Sequence, residues 1–234
     1  MKPVKINGFT IVETMLFLGI SGLLIMSVLV GTGSSINIQR YHDSVTSLQS
    51  YLQQQYSNVA NVSNDEMTNA CGGGTNRGQS NCVILGKYIT IDSSDNKNMQ
   101  VRNVLGTSCV SSDSNDVIAL QNCAIKISPN GAETYNVEWG SSIVGNNKSN
   151  LSLSMLILRS PASGLIRTFV SNITTNVVSD SDIGTIINTS NLSQSAKLCV
   201  DSNGLFTGNA MAVQVDGNAS SASGIESLGE NSGC

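Results

Sequence analysis

Three features of the sequence predict an α+β fold: a long apolar run near the N-terminus, an apolar stripe of helical period directly after it, and a series of short strand-like segments separated by turns. They imply one long N-terminal helix. Its first half is membranous, and its second half packs on an antiparallel β-sheet head with disulfide-closed loops.

The first feature begins after Met1 to Gly8, which reads MKPVKING and carries Lys2 and Lys5 as its only side-chain charges. From Phe9 to Val30 the chain reads FTIVETMLFLGISGLLIMSVLV. A helix of that length rises roughly 33 Å, enough for a hydrocarbon core of about 30 Å. Lysines before the span and none just after it predict an N-terminus on the cytoplasmic side, with the bulk of the chain outside. An ordinary secretory signal peptide, cut near Gly31-Thr32-Gly33, is the simpler alternative. Two features count against it. The run is longer than the usual apolar region of about 7–15 residues. It also carries Glu13, and an acid within such a span costs about 2.5–3.5 kcal/mol, which points to a function with a specific partner.

Gly8-Phe9-Thr10-Ile11-Val12-Glu13, behind a short basic leader and ahead of an apolar stretch, resembles the precursor signature of type IV pilins and pseudopilins. The signature covers about a tenth of the chain. The resemblance implies that a prepilin peptidase cuts after Gly8 and methylates the new N-terminal Phe9. It implies that Glu13 recruits the subunit to a growing filament. Many major pilins carry a proline within or just after the span. Here the prolines are Pro3, Pro129 and Pro161, a departure that favours a minor pilin or pseudopilin. Gly22 and Gly31-Thr32-Gly33-Ser34-Ser35 are the candidate weak points of the helix instead.

Beyond the span, Ile38, Tyr41, Val45, Leu48, Leu52 and Tyr56 recur at three- and four-residue steps, with Gln39, Arg40, Asp43, Gln49, Gln53 and Gln54 between them. This is an amphipathic helix whose stripe needs a sheet to pack on. His42 falls on its polar face, and polar residues from Asn58 to Asn69 end it. Strand composition then appears at Val83–Ile91, Met99–Leu105, Val117–Leu120, Ala124–Ile127, Thr134–Trp139, Leu151–Leu158, Leu165–Val170, Lys197–Val200 and Met211–Val215. The continuously apolar end of Leu151–Leu158 suits a strand passing under the helix. Ser128-Pro129-Asn130-Gly131 and Asp201-Ser202-Asn203-Gly204 read as turns. The segment Leu198 to Phe206 also resembles the late hairpin of type II secretion minor pseudopilins.

Cys71, Cys82, Cys109, Cys123, Cys199 and Cys234 are scattered, with no CxxC pair, and His42 is the only histidine, so a Cys/His zinc site has little to build from. In an exported chain they favour disulfides. Their order suggests Cys71–Cys82, Cys109–Cys123 and Cys199–Cys234. The glycine-rich loop from Cys71 to Cys82 lacks the phosphate-binding order and a preceding strand, so a disulfide-closed surface loop is expected. Asp92-Ser-Ser-Asp95-Asn96 and Asp180-Ser-Asp182-Ile-Gly184 lack the full calcium ligand series and read as solvated loops. No metal or cofactor is expected. No serine triad, HExxH or paired-carboxylate pattern stands out, so catalysis is not expected either. Net charge is −4 and only 12% of residues are charged. Nucleic acid stays open as a partner, but composition does not support it.

The expected organisation is a leader over 1–8, a membrane and filament-core helix over 9–34, an amphipathic helix over 35–60 and an extracellular β-rich head over 61–234. The expected function is a structural, minor subunit of a type IV pilus or pilus-like machine on a bacterial surface. Its expected partners are prepilin peptidase, the cytoplasmic membrane before assembly and other pilin subunits afterwards. The alternative is a membrane-tethered adhesin or DNA-uptake receptor that uses a pilin-type export signal.

Overall fold

The computed structural model describes residues 10–61, 82–109, 115–129, 131–171 and 180–234. Its fold is α+β. The chain divides into two compact units, Met1–Arg40 and Tyr41–Cys234, and one helix, α1 (Ile11–Ala60), contributes to both. The helix runs without interruption through Gly31–Ser35, the segment expected to be weakest. Thr32 Oγ1 and Ser35 Oγ donate to the carbonyls of Leu29 and Gly31, so these polar side chains fold back on the helix that they might have broken.

In the second unit, α1 buries Tyr41, Ser44, Val45, Leu48, Leu52, Gln55, Tyr56 and Val59. Five of these are residues of the stripe read from sequence; the sixth, Ile38, is exposed and belongs to the first unit. Two antiparallel sheets receive the stripe. The larger contains β1 (Val83–Asp92), β2 (Asp95–Thr107), β3 (Ala124–Ile127), β4 (Glu133–Asn136), β6 (Leu153–Arg159) and β7 (Ile166–Ser171), in the order β3-β2-β1-β6-β7 with β4 also paired to β2. The smaller is β10-β9-β8-β5, formed by β5 (Ser142–Val144), β8 (Ala196–Asp201), β9 (Met211–Val215) and β10 (Ile225–Leu228).

Side-chain alternation divides the interior into two cores. One core joins the α1 stripe to Ile89, Ile91, Met155 and Ile157 of the larger sheet and to Leu198, Val200, Val213 and Val215 of the smaller. The second lies across the larger sheet, where Tyr88, Leu156, Leu158 and Phe169 meet α2 (Asp116–Gln121) and α3 (Asp180–Ile186). A fourth helix, α4 (Thr189–Leu192), follows directly. Strand β6 is buried on both faces, as its unbroken apolar run anticipates. Where β1 meets β6, a Cβ at Gly86 would collide with the Ile157 carbonyl, so only glycine permits that approach.

The structure corrects several sequence readings. Val117–Leu120 is helical: Asn115 Oδ1 accepts from the Val117 amide and caps α2, which buries Val117, Ala119 and Leu120 and leaves Ile118 exposed. Strand β4 stops at Asn136 rather than Trp139, because the chain turns through Glu138–Gly140 with Trp139 at φ 56°. The Asp180 segment begins α3 rather than a loop. Strands β5 and β10 were not read from sequence at all.

Candidate functional site

The first unit displays apolar side chains on every face. Ile11, Val12, Met15, Leu16, Phe17, Leu18, Ile20 and the leucines, isoleucine, methionine and valines from Leu23 to Val30 are each more than half exposed. Mean hydropathy over an 18-residue window is 2.2, none of it buried by this chain. A helix apolar all round requires an apolar environment. Its length and composition suffice to cross a membrane once. The hydroxyls fit that environment: Thr14 Oγ1 donates to Ile11 O at 2.8 Å and Ser27 Oγ to Leu24 O at 2.8 Å, as bilayer hydrocarbon demands.

Glu13 is placed in the first turn of α1, next to Thr10. Its Oε2 accepts from the Thr10 amide at 2.9 Å and from Thr10 Oγ1 at 3.0 Å, while the Glu13 amide donates to Thr10 Oγ1 at 3.3 Å. The arrangement is a reciprocal capping box: threonine at the cap and glutamate three residues on satisfy each other's backbone donors. The Thr10-x-x-Glu13 spacing carries that signal in the sequence, and the reading of Glu13 as an assembly residue passed over it. Among the described residues Glu13 makes no ion pair. Gly8 and Phe9, the expected cleavage and methylation positions, lie outside the described residues.

The head contains its own cross-links. Cys109 is bonded to Cys123 and Cys199 to Cys234, the pairs suggested by cysteine order. Cys82 is disulfide-bonded as well; Cys71, its expected partner, lies outside the described residues. No group of three or more metal-ligating side chains occurs among the described residues. Asp92 and Asp95 line a shallow polar cleft of about 190 Å³ with Asn98 and Gln100. Each carboxylate is engaged locally, by the Ser94 amide and by Asn98 Nδ2 respectively. His42 is exposed on the polar face of α1, as expected.

The polar groups on the packed half of α1 reach across to the sheets. Tyr41 Oη donates to Val200 O at 2.7 Å and accepts from the Met211 amide at 2.6 Å. Gln49 and Gln53 donate to Ile225 O. Tyr56 shares a 2.7 Å hydrogen bond with Thr168, and burial pushes its phenol up to about 12. Elsewhere in the head Asp116 is enclosed. Burial alone would raise its carboxyl, but hydrogen bonds from Ser163, Ser160 and Arg167, with the Arg167 charge, hold it below its ordinary value. The Arg167–Asp116 pair closes at 2.7 Å with both side chains largely buried.

No protein-family model matches this chain, and no curated protein or solved structure is significantly similar to it.

Proposed function

We propose that this protein is a structural subunit, of minor type, in a type IV pilus or pilus-like machine, held in the membrane by α1 and then packed with other subunits through it. The observation that supports the reading is the N-terminal half of α1. It is apolar on every face, is preceded by a basic leader ending in Gly8 with Phe9 directly after it, and carries a single acid, Glu13, in its first turn. The reading makes prepilin peptidase the processing partner, with cleavage between Gly8 and Phe9 and methylation of Phe9. Cleavage creates an α-amino group at Phe9, whose ordinary pKa of about 7.7–8.0 leaves it largely protonated at neutral pH. In a packed bundle of helices, the Glu13 carboxylate of one subunit can meet the amine of the next and satisfy two otherwise costly charges at a fixed axial offset.

Intact-mass analysis of the mature protein should give a chain that starts at methylated Phe9. A start near Ser34 would instead identify a discarded signal peptide. For assembly, Glu13→Gln is the informative variant because glutamine retains the capping box while removing the charge. The variant should be cleaved and membrane-bound yet depleted from sheared filaments. Normal incorporation would remove the recruitment role of Glu13.

A further inference from the structure

We propose that the segment Gly229–Cys234 is a redox-gated strap: its disulfide to Cys199 holds the loop between β8 and β9 on α1 at Tyr41, and exchange with a dithiol releases it. The contact to be held is well defined. Tyr41 is fully buried and is the first residue of the second unit. Its ring stacks on Phe206 of the loop, with ring centres 5.0 Å apart. Its Oη accepts from the Met211 amide at 2.6 Å, where the loop enters β9. Burial pushes the Tyr41 phenol up, so it stays protonated near neutral pH and also donates to Val200 O. The loop therefore clamps the first residue that α1 contributes to the head.

The strap touches the same loop. Ser232 Oγ donates to Ala210 O at 2.7 Å, one residue before Met211. A Cβ at Gly208 would collide with the Phe206 ring, and Glu230 Oε2 stands 3.0 Å from the same point, so Phe206 and the strap close on Gly208 together. Two residues of β8 hold the strap from the sheet. Lys197 Nζ donates to Ser232 O at 2.9 Å, and Cys199 is bonded to Cys234. Lys197 and Cys199 stand two apart and share one face of β8, whereas Leu198 and Val200, on the other face, pack in the core with the α1 stripe. One short strand thus carries the helix on one side and the strap on the other.

The disulfide decides whether the strap closes, because the segment has little else to hold it. From Gly229 to Gly233 it reads GENSG, with no apolar side chain to bury. Gly229, Glu230, Asn231 and Gly233 are exposed. Hydrogen bonds at such solvated groups add little net stability, and ordering glycine is entropically costly. The Cys109–Cys123 bond is differently placed, since Cys123 packs in the second core with Val104 and Leu120 and has apolar cover of its own. Release follows ordinary thiol–disulfide exchange. A dithiol passes two electrons and two protons to the bond, Cys199 and Cys234 become thiols, and the dithiol closes to a disulfide. Cys234 is partly exposed and is the sulfur a thiolate can reach, while Cys199 is fully buried.

Amide exchange on the full-length protein in detergent micelles tests the coupling. The double variant Cys199→Ala/Cys234→Ala should quicken exchange roughly tenfold in peptides covering residues 41–45 and 205–212, and leave Met155–Ile157 of β6 unchanged. Coupling is reciprocal, so a weaker clamp favours reduction. Tyr41→Phe keeps the ring and removes the hydroxyl that meets Met211 and Val200. In dithiothreitol redox buffers, followed by alkylation and peptide mapping, it should move the Cys199–Cys234 equilibrium toward the thiols roughly tenfold and leave Cys109–Cys123 where it was. Unchanged exchange at residues 41–45 in the double variant overturns the proposal. Acceleration spread evenly over the head also overturns it, because that describes a general cross-link and not a strap. A Tyr41→Phe shift that is absent, or equal at both disulfides, does the same. None of these outcomes depends on filament incorporation, so they leave the assembly reading to its own test.

Discussion

The two halves of α1 solve the same problem in opposite ways. From Tyr41 onward, one stripe is apolar, and the chain supplies its own cover: Leu48 and Leu52 are fully buried between two sheets. Up to Val30 the apolar residues face every direction, and this chain covers none of them. Charge follows the same division. Asp116, in the head, meets its cation within the chain, at Arg167. Among the described residues Glu13 meets only the Thr10 side chain and amide. The difference teaches where to look for partners. Among the described residues the packed half of α1 finds its cover within the chain, whereas the apolar N-terminal half finds none there.

The largest expected effect sharpens the contrast in burial. Leu48→Ala removes a fully buried side chain and should destabilise the head by about 3–4 kcal/mol, read as a lower midpoint in chemical denaturation. Leu23→Ala removes the same atoms from a residue 70% exposed and should shift that midpoint by less than about 0.5 kcal/mol. Equal effects would break the comparison, because they would mean that the head also relies on the N-terminal half.

How much of this was legible in the sequence depends on the length of each signal. The α1 stripe repeats over five turns, and nothing local competes with it. Strand β6 was legible because a buried central strand is apolar throughout. Val117–Leu120 was misread because four apolar residues fit either a strand or one helical turn, and the capping Asn115 decides between them. Strand β5 has three residues, too few for an alternation, and β10 (Ile225-Glu-Ser-Leu228) does not alternate, since its two apolar residues stand three apart. Asn203-Gly204 was legible as a turn: the Leu205 amide donates to Ser202 O, and both central residues have positive φ, as a type I′ turn requires. Trp139 was not legible. Nothing in its composition announces a left-handed tryptophan, since tertiary hydrogen bonds impose it.

The second prediction concerns the head's own acid. Asp116→Asn removes a largely buried charge from beside Arg167 and should cost about 2 kcal/mol, a figure already reduced for partial exposure. Because the folded-state pKa of Asp116 is lowered, its contribution is present above the unfolded value of about 3.9 and disappears as pH falls through the folded value. The wild-type head should therefore lose stability on acidification below about pH 4, and Asp116→Asn should flatten that part of the profile. Thermal unfolding across the acid range measures both. An unchanged slope in the variant would assign the acid sensitivity to other carboxylates.

The smallest stability effect carries the sharpest question, which is whether Glu13 acts as a cap or as a charge. The capping box allows the two to be separated. Thr10→Ala deletes the hydroxyl that accepts from the Glu13 amide and donates to its carboxylate, but leaves the carboxylate in place. Loss of an N-cap is worth about 1 kcal/mol, confined to the first turn. Amide exchange in micelles should therefore quicken at residues 11–14 and nowhere else along α1. Glu13→Gln does the converse, retaining the reciprocal bonds while abolishing the charge. If the acid serves assembly by pairing with the Phe9 amine of a neighbour, Thr10→Ala should enter filaments nearly as well as wild type, and Glu13→Gln should not. Equal depletion of the two variants would mean that an ordered first turn is what the filament requires, and that the membrane cost of an acid is met by local capping alone.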